Sequence, residues 1–155
     1  MKYLGLMHYF LGLEVWQLKD EIFLSQGRYT MDILRRFGMM DNKSTSTPMT
    51  MNLKKLSDAV ADSDLVDPTM YRQLVGSLMY LVNTRQDICF AVSTLDQFMC
   101  EPRQMHWVDA KHVLRYLHGI VGYGLRYTSS SHLTLVSYSY SDWAESVDDR
   151  KSTSG

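Results

Sequence analysis

An aromatic and aliphatic run opens the chain, His8-Tyr9-Phe10-Leu11-Gly12-Leu13-Glu14-Val15-Trp16, and the same character returns in Glu21-Ile22-Phe23-Leu24 after the polar Lys19-Asp20. Two such runs around a short polar break predict a β-hairpin. Gly12 falls inside the first run, where a glycine marks a bulge, a close backbone approach or simply a turn. After this the apolar spacing changes to that of a helix. Tyr29, Ile33, Leu34 and Phe37 share one face, Ser25 can accept an early free N–H through its hydroxyl, and Gly38 is a natural stop. Residues 41–66 are polar, with Ser44-Thr45-Ser46-Thr47-Pro48 and a second Asp/Ser-rich stretch from Ser57 to Asp64, and predict a loop or linker.

Asp67-Pro68 predicts a helix start, with Asp at the cap and Pro in the first turn where no N–H is missed. Tyr71, Leu74, Val75, Leu78 and Val82 form its apolar stripe. Asp87 is placed to cap a further helix carrying Ile88, Ala91, Val92, Leu95 and Phe98, which ends at Glu101-Pro102. Another helix runs from about Met105 to His118, with Trp107, Ala110, Leu114, Leu117 and Val121 at helical spacing and Gly119 and Gly122 breaking it. Leu125-Arg126-Tyr127 and Leu133 to Tyr140 predict two strands around a serine turn. The fold class is α+β: an N-terminal β-hairpin, central helices and C-terminal antiparallel strands.

Composition narrows the function classes. Of 155 residues, 45% are hydrophobic and 21% charged, the balance of a soluble globular chain. A net charge of −1 argues against binding nucleic acid through bulk charge and leaves room for a local basic face. Lys111, Arg115 and His118 form such a face, either as plain solvated surface or as a contact for a phosphate backbone. No apolar run approaches the roughly 20 residues of a membrane helix. Met1-Lys2-Tyr3-Leu4-Gly5 lacks a signal core, which points to an intracellular, non-secreted protein. Cys89 and Cys100 are expected as buried, reduced thiols, and the eleven methionines as core filling.

Seven pieces in fixed order then suggest a family: His8 to Val15; Leu24-Ser25-Gln26; Ser46-Thr47-Pro48-Met49; Tyr71-Arg72-Gln73-Leu74-Val75-Gly76-Ser77-Leu78-Met79-Tyr80-Leu81; Thr84-Arg85-Gln86-Asp87-Ile88; His112-Val113-Leu114-Arg115-Tyr116-Leu117-His118-Gly119; and Ser141-Asp142-Trp143-Ala144 through Asp149-Arg150-Lys151-Ser152-Thr153-Ser154-Gly155. The chain resembles the Pol polyprotein of Ty1/copia-type retrotransposons, in the reverse transcriptase region that leads into ribonuclease H. The resemblance implies a palm-edge, primer-grip-like hairpin over 1–27 and thumb- and connection-like helices over 28–102. It implies a connection helix and the start of ribonuclease H over 103–155. In that family the polymerase Tyr-x-Asp-Asp strand lies upstream and most ribonuclease H carboxylates lie downstream, so Met1 is expected to be an internal methionine and the C-terminal Gly155 a cut.

The intact family enzyme uses Mg²⁺ held by converging carboxylates. Here the start of ribonuclease H has Tyr140 where the family has its first Asp, and keeps only Asp142. A neutral phenol is a poor ligand for a hard cation, so the pair is vestigial and no cofactor, metal site or catalytic residue is expected. Asp142 itself reads as a turn or capping residue. Ser146-Val147-Asp148-Asp149 imitates the polymerase turn without its aromatic residue or strand, and reads as an exposed loop. Gln86, Asp96 and Glu145 also depart from the family pattern, as a decaying copy would. Phe10, Leu11 and Gly12 match the element that holds the primer strand, and with Lys111 and Arg115 they are the candidate nucleic-acid contacts. The implied partners are an RNA/DNA template-primer duplex and the rest of the polyprotein, with no membrane. The alternatives are a small helical nucleic-acid or protein interaction module without catalysis, and a chain that is not stable alone.

Overall fold

The computed structural model describes residues 5–49 and 64–129, together with Ser137. Tyr140, Asp142, the strand expected from Leu133 to Tyr140 and most of the Ser57–Asp64 stretch lie outside the described residues. Four strands, β1 (Tyr9–Phe10), β2 (Leu13–Gln17), β3 (Glu21–Ser25) and β4 (Gly124–Thr128), form an antiparallel sheet in the order β1-β2-β3-β4. The helices are α1 (Gly27–Arg36), α2 (Pro68–Leu81), α3 (Cys89–Asp96) and α4 (Gln104–Gly119), with a 3-10 turn at Gln86–Ile88 before α3. The described residues are therefore α+β.

The expected hairpin is present but divided. Leu11 and Gly12 both take positive φ, 47° and 79°, and form a two-residue turn between β1 and β2. Positive φ at both turn positions matches the right-handed twist of the flanking strands. An added Cβ at Gly12 would also sit 3.1 Å from the Tyr80 hydroxyl, so the turn and the close approach are both real. Within the described residues β4 pairs with β3, Ile22 opposite Tyr127 and Leu24 opposite Leu125, a pairing the sequence did not suggest; the strand expected beside it over Leu133 to Tyr140 lies outside the described residues.

Local chemistry explains the helix ends. Ser25 closes β3 and is not the cap residue of α1, yet its hydroxyl still accepts the Gly27 N–H at 3.2 Å. Glu14, reaching from β2, accepts the Arg28 N–H at 3.1 Å. Gly38 stops α1 with φ +64°. Asp67 caps α2 by accepting the Thr69 N–H at 2.8 Å, with Pro68 as the first helical residue. The stripes of all four helices meet in one core, where Leu34, Leu74, Leu78, Leu95, Leu114 and Leu117 are fully buried. Each contributes about 1.5–3 kcal/mol over its exposed state. The Tyr71 hydroxyl donates to the Leu95 carbonyl at 2.8 Å within this core, and burial pushes its pKa well above the ordinary phenol value.

Asp87 is not a helix cap. Its carboxylate takes a forked pair from Arg85, at 2.9 and 2.6 Å, and the Tyr116 hydroxyl at 2.8 Å. The Arg85 side chain is only 4% exposed, and its third nitrogen donates to the Ile120 carbonyl at 3.2 Å. Its guanidinium also lies about 6 Å from the Tyr116 and Tyr123 rings. This clamp ties the α2–α3 corner to the end of α4, and so to the turn that delivers β4. The cysteines correct the expectation as well: both thiols are free but exposed. Methionine behaviour is mixed, with Met39 buried and Met7, Met70 and Met79 exposed.

Candidate nucleic-acid interface

The hairpin tip is apolar and open to solvent, with Phe10 53% and Leu11 72% exposed. It is held from below, because the Tyr80 hydroxyl of α2 donates to the Leu11 carbonyl. Tyr80 in turn meets Tyr29 of α1 edge-on, 5.1 Å between centroids. The turn at Leu11 and Gly12 is thus braced from below, and Phe10 projects beside it.

Lys111 and Arg115 stand elsewhere. The Lys111 ammonium lies 5.1 Å over the Trp107 ring, and Arg115 donates to the Lys43 carbonyl at 2.9 Å. The same loop accepts His112 at the Thr47 carbonyl and places Ser44 against Gly119. Residues 43–47 therefore strap this stretch of α4 internally. Among the described residues no hydrogen bond, ion pair or ring contact joins Lys111 or Arg115 to the hairpin tip.

A second surface escaped the sequence reading. Strand register places Tyr9, Glu14, Trp16, Phe23 and Arg126 on one sheet face, since residues opposite each other in a ladder share a face. Trp16 and Phe23 touch, with centroids 5.5 Å apart. Helix α1 flanks this face and leaves an open groove of about 600 Å³, lined by Arg28, Met31, Asp32 and Arg35 from α1 and by Val121 and Gly122. Each arginine around the groove has a carboxylate: Arg28 with Glu14 at 3.1 Å, Arg35 with Asp32 at 3.1 Å, Arg126 with Glu21 at 3.6 Å. The alternation of Glu14 with Trp16 was visible in the sequence. The facing of β4 and α1 was not.

Among the described residues no three of His, Cys, Asp and Glu converge on one point. Asp87, the most engaged carboxylate, is occupied by Arg85 and Tyr116; burial opposes its charge, but these hydrogen bonds and the Arg85 charge outweigh that and hold its pKa below the ordinary value. None of the described helices is long and apolar enough to cross a membrane.

No family model matches the chain, and no solved structure does. Curated relatives do. The retrovirus-related Pol polyprotein from transposon RE2 of Arabidopsis thaliana is 43% identical over 149 residues, which is 96% of this chain and 10% of the relative. That from transposon RE1 of the same plant is 44% identical over the same shares. An uncharacterized mitochondrial protein of Arabidopsis thaliana is 40% identical over the whole chain and 63% of its own length. The chain spans about a tenth of the two transposon polyproteins. With 43–44% identity to them across nearly all of its residues, the chain belongs to the Pol polyproteins of Ty1/copia-type retrotransposons.

Proposed function

We propose that this chain is the stretch of a copia-type Pol polyprotein in which the reverse transcriptase runs into ribonuclease H, and that it positions a template-primer without making or breaking bonds. The observation that carries the reading is Leu11: a non-glycine residue at φ 47°, 72% exposed, at the tip of a braced apolar projection. A bulky side chain held in the left-handed region costs of order 1 kcal/mol or more, and such strain collects where side chains contact ligands. Residues 1–27 then act as the primer-holding hairpin and 28–102 as helices packing along the duplex, with residues from 103 on leading to ribonuclease H. Lys111 over the Trp107 ring and Arg115 on the Lys43 carbonyl keep N–H donors for further phosphate contacts, but they stand apart from the hairpin tip, which carries the reading.

Gel-shift titration with an RNA–DNA primer-template tests the binding. A shift is expected at about 50 mM salt, weakening only modestly by about 200 mM because few phosphate contacts are made, and Phe10→Ala with Leu11→Gly should reduce it severalfold. The absence of any shift at the lower salt overturns the proposal. Primer extension with Mg²⁺ tests the inactivity; incorporation above a no-enzyme control overturns that part.

A further inference from the structure

We infer that the groove between the β2–β3–β4 face and α1 is a binding site for unpaired nucleic acid, distinct from the duplex contact at the hairpin tip. Trp16 is 46% exposed and Tyr9 56% exposed, on one sheet face where large rings in water have no packing reason to stand open. Trp16 and Phe23 already touch at 5.5 Å, so one ring supports the other and presents a π surface of fixed orientation. Open sheet faces carrying adjacent aromatic rings are how proteins stack splayed bases, and stacking tolerates any base because every base has a π face. The groove, about 600 Å³, lies within the size that small planar ligands occupy.

Charge decides between single strand and duplex. Arg28, Arg35 and Arg126 border the face with side chains 77%, 62% and 66% exposed. Each is already balanced by one carboxylate, so the surface carries no net positive field to hold a continuous duplex backbone. Each guanidinium has five N–H donors, however, and the ion pairs leave most of them free for a neighbouring phosphate. The site therefore binds mainly by stacking, with one to three phosphate contacts, and its affinity depends only mildly on salt. Arg28 also lies 6.0 Å from the Tyr9 ring centroid, placing a cation at the edge of the aromatic row where a sugar-phosphate chain would leave it.

The test titrates the whole chain into fluorescein-labelled oligo-uridylate and oligo-thymidylate of about 12 nucleotides, and into a blunt duplex of the same length, following anisotropy and tryptophan quenching. Single strands should bind, with a slope of log K against log salt near −1 to −2, corresponding to about one to three phosphates at the single-strand value. The uridylate and thymidylate arms show whether RNA or DNA is preferred. Trp16→Ala should weaken single-strand binding about tenfold, more than it weakens duplex binding, while Trp16→Phe keeps a π face and should recover most of it. Circular dichroism confirms that each variant folds. Single strands that fail to bind, or bind Trp16→Ala as tightly as the parent, overturn the inference. Duplex binding that persists undiminished in the Phe10 and Leu11 variants would strike the primer-holding proposal and leave this one standing.

Discussion

Replacing Arg85 with Ala should be among the most damaging single changes outside the leucine core. The side chain is 4% exposed and makes three hydrogen bonds, two to Asp87 and one to the Ile120 carbonyl. Removing one partner of a fully buried ion pair costs about 3–5 kcal/mol, because the other charge stays behind without compensation. Here Asp87 is 38% exposed and can recover water, which lowers the figure; the loss of a donor at the Ile120 carbonyl and of packing against Tyr116 and Tyr123 raises it again. About 2–4 kcal/mol results. For a chain of this size, with about 2–4 °C per kcal/mol, the melting temperature falls by about 5–15 °C. Thermal melts by far-UV circular dichroism measure this directly. Arg85→Met keeps much of the bulk and removes the charge and its donors, so its cost separates the polar contacts from the packing. In a double-mutant cycle with Asp87→Asn, the coupling should be about 1–3 kcal/mol. A melting temperature within 2 °C of the parent for Arg85→Ala would mean that the clamp is decorative and that the argument from burial is wrong.

The remaining predictions concern single positions. Gly124→Ala should cost about 1–3 kcal/mol, because its Cβ would press into the Leu24 carbonyl, whereas Gly76→Ala, with nothing near its Cβ on an exposed helix face, should gain about 0.5–1 kcal/mol; opposite signs in urea melts check the pair. Asp87 has a folded pKa below its ordinary 3.8, so its contribution is complete above that value and is lost as pH falls through the folded pKa. Between about pH 5 and 2, stability should therefore fall more steeply in the parent than in Asp87→Asn, and parallel curves would refute it. Burial and the Asp87 carboxylate raise the Tyr116 pKa, so its share is present below the ordinary phenol value and lost as pH rises beyond it. Both exposed thiols should react with Ellman's reagent in the native protein, and a requirement for denaturant would contradict their position.

Much of the fold could be read where one residue type has one physical use. Asp67-Pro68 at a helix start and Gly38 at a stop stand as read, and the stripe of Ile88, Ala91, Val92 and Leu95 is buried, although α3 ends at Asp96, before Phe98 and well short of Glu101-Pro102. That same stripe should have warned against burying Cys89, which lies one residue off it and faces out. Asp87 misled because a carboxylate before an apolar run suits a cap equally well; only tertiary structure brought Arg85 and Tyr116 to it. Leu125-Arg126-Tyr127 was legible as a strand but not as the partner of β3, since alternation carries no information about pairing across such a distance. The groove was hidden for the same reason. Tyr9, Trp16 and Phe23 each read as ordinary strand residues until register set them side by side.

The pairing of β3 with β4 also governs when the protein can acquire its shape. Ile22 waits for Tyr127, roughly a hundred residues later. During synthesis at about 5–20 residues per second, the hairpin with its apolar tip leaves the ribosome several seconds before the strand that covers its open edge. In that interval β3 presents unpaired N–H and C=O groups beside Ile22 and Phe23, a ready template for another nascent chain. A polyprotein translated by many ribosomes on one message would bring such edges close together. Early helix formation around Leu34 and Leu74, ahead of the sheet, would leave that edge as the last part of the chain to be protected.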